Sequence, residues 1–139
     1  MKNREVRSIV ITGYGTNCEM EMAHACRLAG SEIVDIVHIN ELINGEKSFD
    51  DYHFLNLPGG FLDGDDLGSA KAGANRIQYA KVAGKEERLY DQLLRFIHAG
   101  KHTIETACGT WPQMSLMARA DSRNSPAFPR TVGSRRMLN

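Results

Sequence analysis

The chain has 139 residues, 42% of them hydrophobic, with 17 Lys+Arg against 17 Asp+Glu and a pI near 7.0. At about 100–200 residues per domain this is a single unit with enough apolar content for a core, which excludes wholesale disorder. No stretch approaches the ~18 uninterrupted apolar residues of a membrane span, and no apolar run follows Met1-Lys2-Asn3-Arg4-Glu5. Neither a membrane partner nor a secretory leader is therefore expected. Cysteines 18, 26 and 108 form no CxxC and no paired framework, which suits a reducing compartment. A cytoplasmic protein without a nucleic-acid partner is the expectation.

The neutral charge joins two unlike parts. Residues 119–139 hold five of the 17 basic residues (Arg119, Arg123, Arg130, Arg135, Arg136) and one acid, Asp121, for a net +4. The first 118 residues keep 12 basic and 16 acidic residues, a net −4.

Arg7–Thr12 is a β-branched run ending at Gly13-Tyr14-Gly15, and its unbroken apolar character predicts a strand buried on both faces of a parallel sheet. Thr16-Asn17-Cys18-Glu19 has the spacing of a capping box, with the Thr16 hydroxyl and the Glu19 carboxylate satisfying each other's backbone amides. The helix behind it should bury Met22, Ala25, Cys26 and Ala29 and stop at Gly30. A second strand is expected over Ile33–Ile39, and strand, helix and strand in about forty residues form one crossover unit.

Phe54–Leu57 predicts a short third strand cut off by Pro58-Gly59-Gly60, followed by a long connection from Phe61 to Lys85. Loops of that length inside a compact domain are usually functional or mobile. Glu86–His98 is an amphipathic helix with Leu89, Tyr90, Leu93, Leu94, Phe96 and Ile97 inward, and an Asp91–Arg95 pair outward. His102–Ala107 predicts a fourth strand, Cys108-Gly109-Thr110 a turn, and Met114–Ala118 a helical turn or two. From Ser122 onward, Pro126, Pro129 and scattered Ser and Arg leave no hydrophobic period. The order β-α-β-β-α-β implies an α/β doubly wound parallel sheet over residues 1–118, with an irregular or disordered Arg-rich tail over 119–139.

Ligands of such sheets sit beyond the carboxyl ends of the strands, where three loops gather: Gly13–Asn17, Pro58–Asp66 and the turn at Cys108. Gly13-Tyr14-Gly15 lacks the third glycine of a dinucleotide fingerprint, and Asp35 lies inside its strand, so a tight strand-to-helix turn is the better reading. Two glycines at Pro58-Gly59-Gly60 let backbone N–H groups face a ligand, as in an oxyanion hole, although a plain Gly-rich turn fits as well. Asp63, Asp65 and Asp66 lack the other ligands of a calcium loop and read as a solvated segment. Cys108, between a strand and a helix, has the placement of an elbow nucleophile, but a lone cysteine is more often inert. None of His24, His38, His53, His98 and His102 has metal-ligand spacing, and none follows Cys108.

Gly15-Thr16-Asn17-Cys18-Glu19, Leu57-Pro58-Gly59-Gly60-Phe61 and Gly64-Asp65-Asp66-Leu67-Gly68-Ser69-Ala70-Lys71, spread between about Arg7 and Gly100, together resemble the glutaminase domain of phosphoribosylformylglycinamidine synthase. The resemblance implies a flavodoxin-like class I glutamine amidotransferase fold, here incomplete at the C-terminus. It implies that Cys108 attacks the side-chain amide of L-glutamine, forms a glutamyl thioester and releases ammonia. Gly59, Gly60, Phe61 and Gly109 would bind glutamine, with the Gly60 and Gly109 N–H groups as oxyanion donors. The ammonia would pass to a synthetase domain or subunit that uses ATP and magnesium, while this domain itself needs no cofactor or metal.

The chain departs from that pattern after Gly100. Cys108-Gly109-Thr110-Trp111-Pro112-Gln113 is one residue longer than the family's elbow, and Thr106 replaces a glycine. The family's histidine and glutamate partners of the cysteine have no counterpart among residues 109–139. The expectation is weak or no glutamine hydrolysis by this chain alone, since an unassisted thiol is only a few per cent ionised near neutral pH. An Arg/Ser/Pro-rich tail after a family-like body is also what a shifted reading frame produces. Two other readings stay open: a non-catalytic flavodoxin-like docking module, and a DJ-1/PfpI-like cysteine-elbow protein.

Overall fold

Ile9 and Val10 are fully buried and Ile11 nearly so, which places β1 (Arg7–Thr12) in the middle of a sheet with both faces covered. The computed structural model describes residues 5–60 and 71–105. Phe61, Cys108, Gly109, the acids at 63–66, the turn and helix expected over 108–118 and the tail over 119–139 lie outside the described residues. The sheet has four parallel strands in the order β2-β1-β3-β4, with β2 at Ile33–His38, β3 at Phe54–Leu57 and β4 at His102–Glu105. That order is the flavodoxin-like arrangement.

Helices cover both faces. Alternation along β1 sends Ile9 and Ile11 to one side and Ser8 and Val10 to the other. Ile9, Ile11, Val37, Leu55 and Leu57 join a core completed by Leu42, Phe49, Ala74, Ile77, Leu89, Leu93 and Phe96. These come from α2 (Ile39–Ile43), the 3-10 turn Phe49–Asp51, α3 (Lys71–Tyr79) and α4 (Leu89–His98). The opposite face carries α1 (Glu19–Leu28), whose Cys26 thiol donates to Asn56 Oδ1 at 3.4 Å, while Asn56 Nδ2 donates to the Ile9 carbonyl at 3.1 Å. A polar side chain is admissible at that depth because both ends of its amide are engaged.

Several expectations change. β2 ends at His38 rather than Ile39, because Ile39 opens α2 with its side chain in the core. His38 caps that helix: its Nδ1 accepts from Asn40 N at 3.1 Å, and its own N–H donates to Glu41 Oε2 at 2.7 Å. The connection expected as loop from Phe61 to Lys85 contains α3, which Ala74 and Ile77 anchor against α4. Gly73 and the polar neighbours Asn75, Arg76 and Gln78 had masked it, and tertiary contact overrides that low propensity. α1 buries Ala23 and Cys26, with Met22 half-buried and Ala25 and Ala29 exposed.

α4 begins at Leu89, not Glu86. Asp91 turns back to accept from Arg88 N at 3.0 Å and pairs with the Arg88 guanidinium. Arg95 therefore does not pair with Asp91. It reaches Asp50 through Nε at 3.0 Å and Nη2 at 2.6 Å, and Glu87 through Nη1 at 2.9 Å. Gln92, fully buried beneath this cluster, bridges Ser48 Oγ at 3.1 Å and Glu87 Oε1 at 2.9 Å. No helix among the described residues is long and apolar enough to cross a membrane.

Candidate active site at the carboxyl edge of the sheet

From β1 the chain crosses to β2 on one side, while from β3 it crosses to β4 on the other. The connections diverge between β1 and β3, and the carboxyl ends at such a switch point are where doubly wound sheets bind ligands. The turns at these ends are Gly13–Asn17 after β1 and Pro58–Gly60 after β3.

The first turn closes through Thr16 N donating to Gly13 O at 3.1 Å, with Gly15 at φ +86° supplying the left-handed residue. Thr16 does not act as the helix cap. It lies in an antiparallel bridge with Gly60, and Asn17 N donates to Gly59 O at 2.8 Å. Cys18 takes the cap position in the left-handed conformation, φ 67° and ψ 13°, with no side-chain cap, and its N–H donates to Asn17 Oδ1 at 3.0 Å. Short polar residues favour such local side-chain to backbone bonds, so Asn17 supports the bend from which α1 departs.

Gly59 and Gly60 are buried. Gly60 sits at φ +132°, and a Cβ there would lie 2.5 Å from Gly15 O, 2.6 Å from Asn17 N and 3.0 Å from Thr16 Cα. The second glycine of the Pro-Gly-Gly turn is thus demanded both by its own backbone and by the close passage of the neighbouring turn. The sequence-expected site residues divide accordingly. Gly59 and Gly60 lie at the switch point, against the turn that follows β1, while Cys108, Gly109 and Phe61 are outside the described residues. β4 lies beside β3, and its last residue, Glu105, precedes Cys108 by three positions.

Other groups collect at this edge. Tyr14, largely exposed, meets the His38 ring edge-on at a centroid distance of 5.2 Å. Arg76 on α3 donates to Asn40 Oδ1, tying α3 to the start of α2. Neither His38 nor Arg76 carried a sequence signal, since their neighbours at this edge come from other elements. The remaining histidines are dispersed: His24 and His98 are exposed on helices, His102 is exposed on β4, and His53 Nδ1 accepts from Arg7 N at 3.2 Å. Among the described residues no group of three or more His, Cys, Asp or Glu could hold a metal ion.

Residues 5–117 match the model of the CobB/CobQ-like glutamine amidotransferase domain, a match that runs past Gly100 and takes in Cys108 and Gly109. Over 93 residues the chain is 50% identical to phosphoribosylformylglycinamidine synthase subunit PurQ of Methanococcus maripaludis, covering 67% of this chain and 31% of that one. Over 87 residues it is 37% identical to the subunit of the same name in Dehalococcoides mccartyi, covering 63% of this chain and 33% of that one. The chain thus spans about a third of the length of these curated relatives. The structure of PurLQS from Thermotoga maritima shares the fold at a TM-score of 0.53 and 24% identity, covering 73% of this chain and 40% of that chain. With the family model matching residues 5–117, more than half of the chain, and Gly59 and Gly60 at the switch point of a flavodoxin-like sheet, the chain belongs to the CobB/CobQ-like glutamine amidotransferase domain family.

Proposed function

We propose that the chain is the glutaminase part of phosphoribosylformylglycinamidine synthase in purine biosynthesis, located in the cytoplasm and directed at L-glutamine, with weak or no turnover as this chain alone. The observation that carries this reading is the clasp of the two family turns, with Asn17 N on Gly59 O and Thr16 paired with Gly60, at the topological switch point. The relatives' names support the synthase, and the family membership supports glutamine.

In this reading the Cys108 thiolate adds to the side-chain amide carbon of glutamine, and the carbonyl π pair moves onto oxygen. The N–H groups of Gly60 and Gly109 hold that oxyanion, and Gly59 and Phe61 shape the glutamine seat. Collapse breaks the C–N bond. The nitrogen takes a proton from water and leaves as ammonia, and the resulting hydroxide or a further water hydrolyses the thioester to glutamate and free thiol. The ammonia is passed to a synthetase partner, where ATP and magnesium belong; this domain itself carries neither cofactor nor metal.

The test is labelling with a diazo-ketone analogue of glutamine followed by peptide mapping. Label on Cys108, suppressed by excess L-glutamine, supports the reading. Label distributed over Cys18 and Cys108 and indifferent to glutamine would sink it.

A further inference from the structure

A trans peptide points its carbonyl and its N–H in opposite directions. In the peptide joining Gly59 to Gly60, the carbonyl is claimed by Asn17 N at 2.8 Å from the β1 side. The Gly60 N–H of the same plane therefore points to the side opposite that carbonyl, away from Asn17 N. Cys108 lies three positions beyond the last residue of β4.

A Pro-Gly-Gly turn has no intrinsic reason to keep that orientation. Glycine enters positive and negative φ with similar ease, so rotation of the Gly59–Gly60 peptide is opposed only by what touches it. Among the described residues, the Asn17 N–H on the carbonyl, the Thr16–Gly60 bridge and the backbone of Gly15–Asn17, packed so near Gly60 that no Cβ fits, all do so. The clamp has its own brace. Asn17 Oδ1 accepts from the N–H of Cys18, which holds the left-handed bend that presents the Asn17 N–H to Gly59.

We infer that the Thr16-Asn17-Cys18 turn is a positioning element for the oxyanion donor: the Asn17 N–H fixes the peptide that carries the Gly60 N–H. The inference rests on the glutaminase reading and deepens it. Asn17 touches no reacting atom. It acts through Gly60, and a misaligned donor forfeits much of the stabilisation that a preorganised one supplies.

The test separates a reaction that puts a hydrogen-bond acceptor in the oxyanion hole from one that does not draw on it. 2-Amino-4-cyanobutanoate, glutamine with its side-chain amide dehydrated to a nitrile, takes a thiolate at the nitrile carbon. The C≡N π pair moves to nitrogen, which takes a proton from water, and a reversible neutral thioimidate results whose nitrogen stands in for the amide oxygen and keeps a lone pair for the Gly60 N–H. Iodoacetamide alkylates the same sulfur by displacing iodide, a reaction that needs no oxyanion donor. Both reactions are run on the full chain at about pH 9, where an ordinary thiol is largely ionised.

Asn17→Pro, which deletes the N–H, should weaken the Cys108 thioimidate by about tenfold or more while leaving the iodoacetamide rate at Cys108 within about twofold. Asn17→Ala keeps the N–H and should show a smaller loss. Should Asn17→Pro not fold, Gly60→Ala displaces the same peptide from its other side and should show the same split between reagents. Equal thioimidate affinity in the folded variant and the parent overturns the positioning role. Absence of any thioimidate in the parent chain, with iodoacetamide still modifying Cys108, overturns the glutaminase reading instead.

Discussion

The backbone N–H of Asn17 donates to the carbonyl oxygen of Gly59 at 2.8 Å, joining residues 42 positions apart across the carboxyl ends of β1 and β3. Through this bond the two turns that carry the family likeness become one surface. Substitutions at this edge should therefore act on both turns together.

Gly60→Ala is the sharpest case. Its Cβ would meet three backbone atoms at 2.5, 2.6 and 3.0 Å, none able to rotate aside, at a φ of +132° that alanine rarely adopts. A loss of about 2–4 kcal/mol is expected in urea unfolding. Gly84→Ala is the matched comparison: φ is +76° but nothing lies within 4 Å, so only the backbone cost of about 1 kcal/mol should appear. Equal losses at the two glycines would refute the steric account.

Phe96→Ala should cost about 3–5 kcal/mol. Phe96 is 1% exposed at the centre of the α4 face, with its ring 6.3 Å from that of Phe49. Substitution at the exposed Leu28 on α1, 77% accessible, should stay within about 0.5 kcal/mol. Thermal melts of the two variants decide between them.

Tyr52→Phe removes a phenol O–H that donates to Asp35 Oδ2 at 2.6 Å. That bond is the main reason the Asp35 carboxyl lies below its usual range, followed by the opposing effect of burial and then the charge of Lys47. The expected loss is about 1–2 kcal/mol near neutral pH. A carboxylate with a lowered pKa stabilises the fold above its unfolded pKa, and this is lost as pH falls through the lowered value. The difference between parent and variant should therefore shrink below about pH 4. A gap that widened with acid would contradict the assignment.

Asp50 obeys the same sign. Its hydrogen bonds from Arg95 pull its carboxyl down, and Arg95 in turn is pushed further up by Asp50 and Glu87. Both side chains of the Asp50–Arg95 pair are more than two-fifths exposed, so solvent screens it. Asp50→Asn should cost under about 1 kcal/mol at pH 7, less in high salt, and nothing further once acid has protonated the parent.

Cysteine accessibility offers an independent check on α1. Cys18 is exposed, whereas Cys26 is buried with its thiol on Asn56. Iodoacetamide mapped by mass spectrometry should modify Cys18 in the native protein and Cys26 only on unfolding. Early modification of Cys26 would show that α1 does not pack as described.

The strands, α1 and most of α4 were legible because their apolar patterns record burial directly, and β1 reads as a central strand because nothing polar interrupts Ile9–Ile11. Local pattern was blind to α3, which exists because Ala74 and Ile77 find α4 beneath them. It misassigned Thr16 as a helix cap because the residue that holds Thr16, Gly60, is 44 positions away. It paired Arg95 with Asp91 by helical spacing, where Asp50 and Glu87 approach from outside the helix and win. The sequence by itself determined the alternation of elements, the family and the glycines at the turn after β3. Only the tertiary structure decided which carbonyl Asn17 would hold, because a hydrogen bond between two turns depends on strand order and register, and neither is written in the residues of either turn.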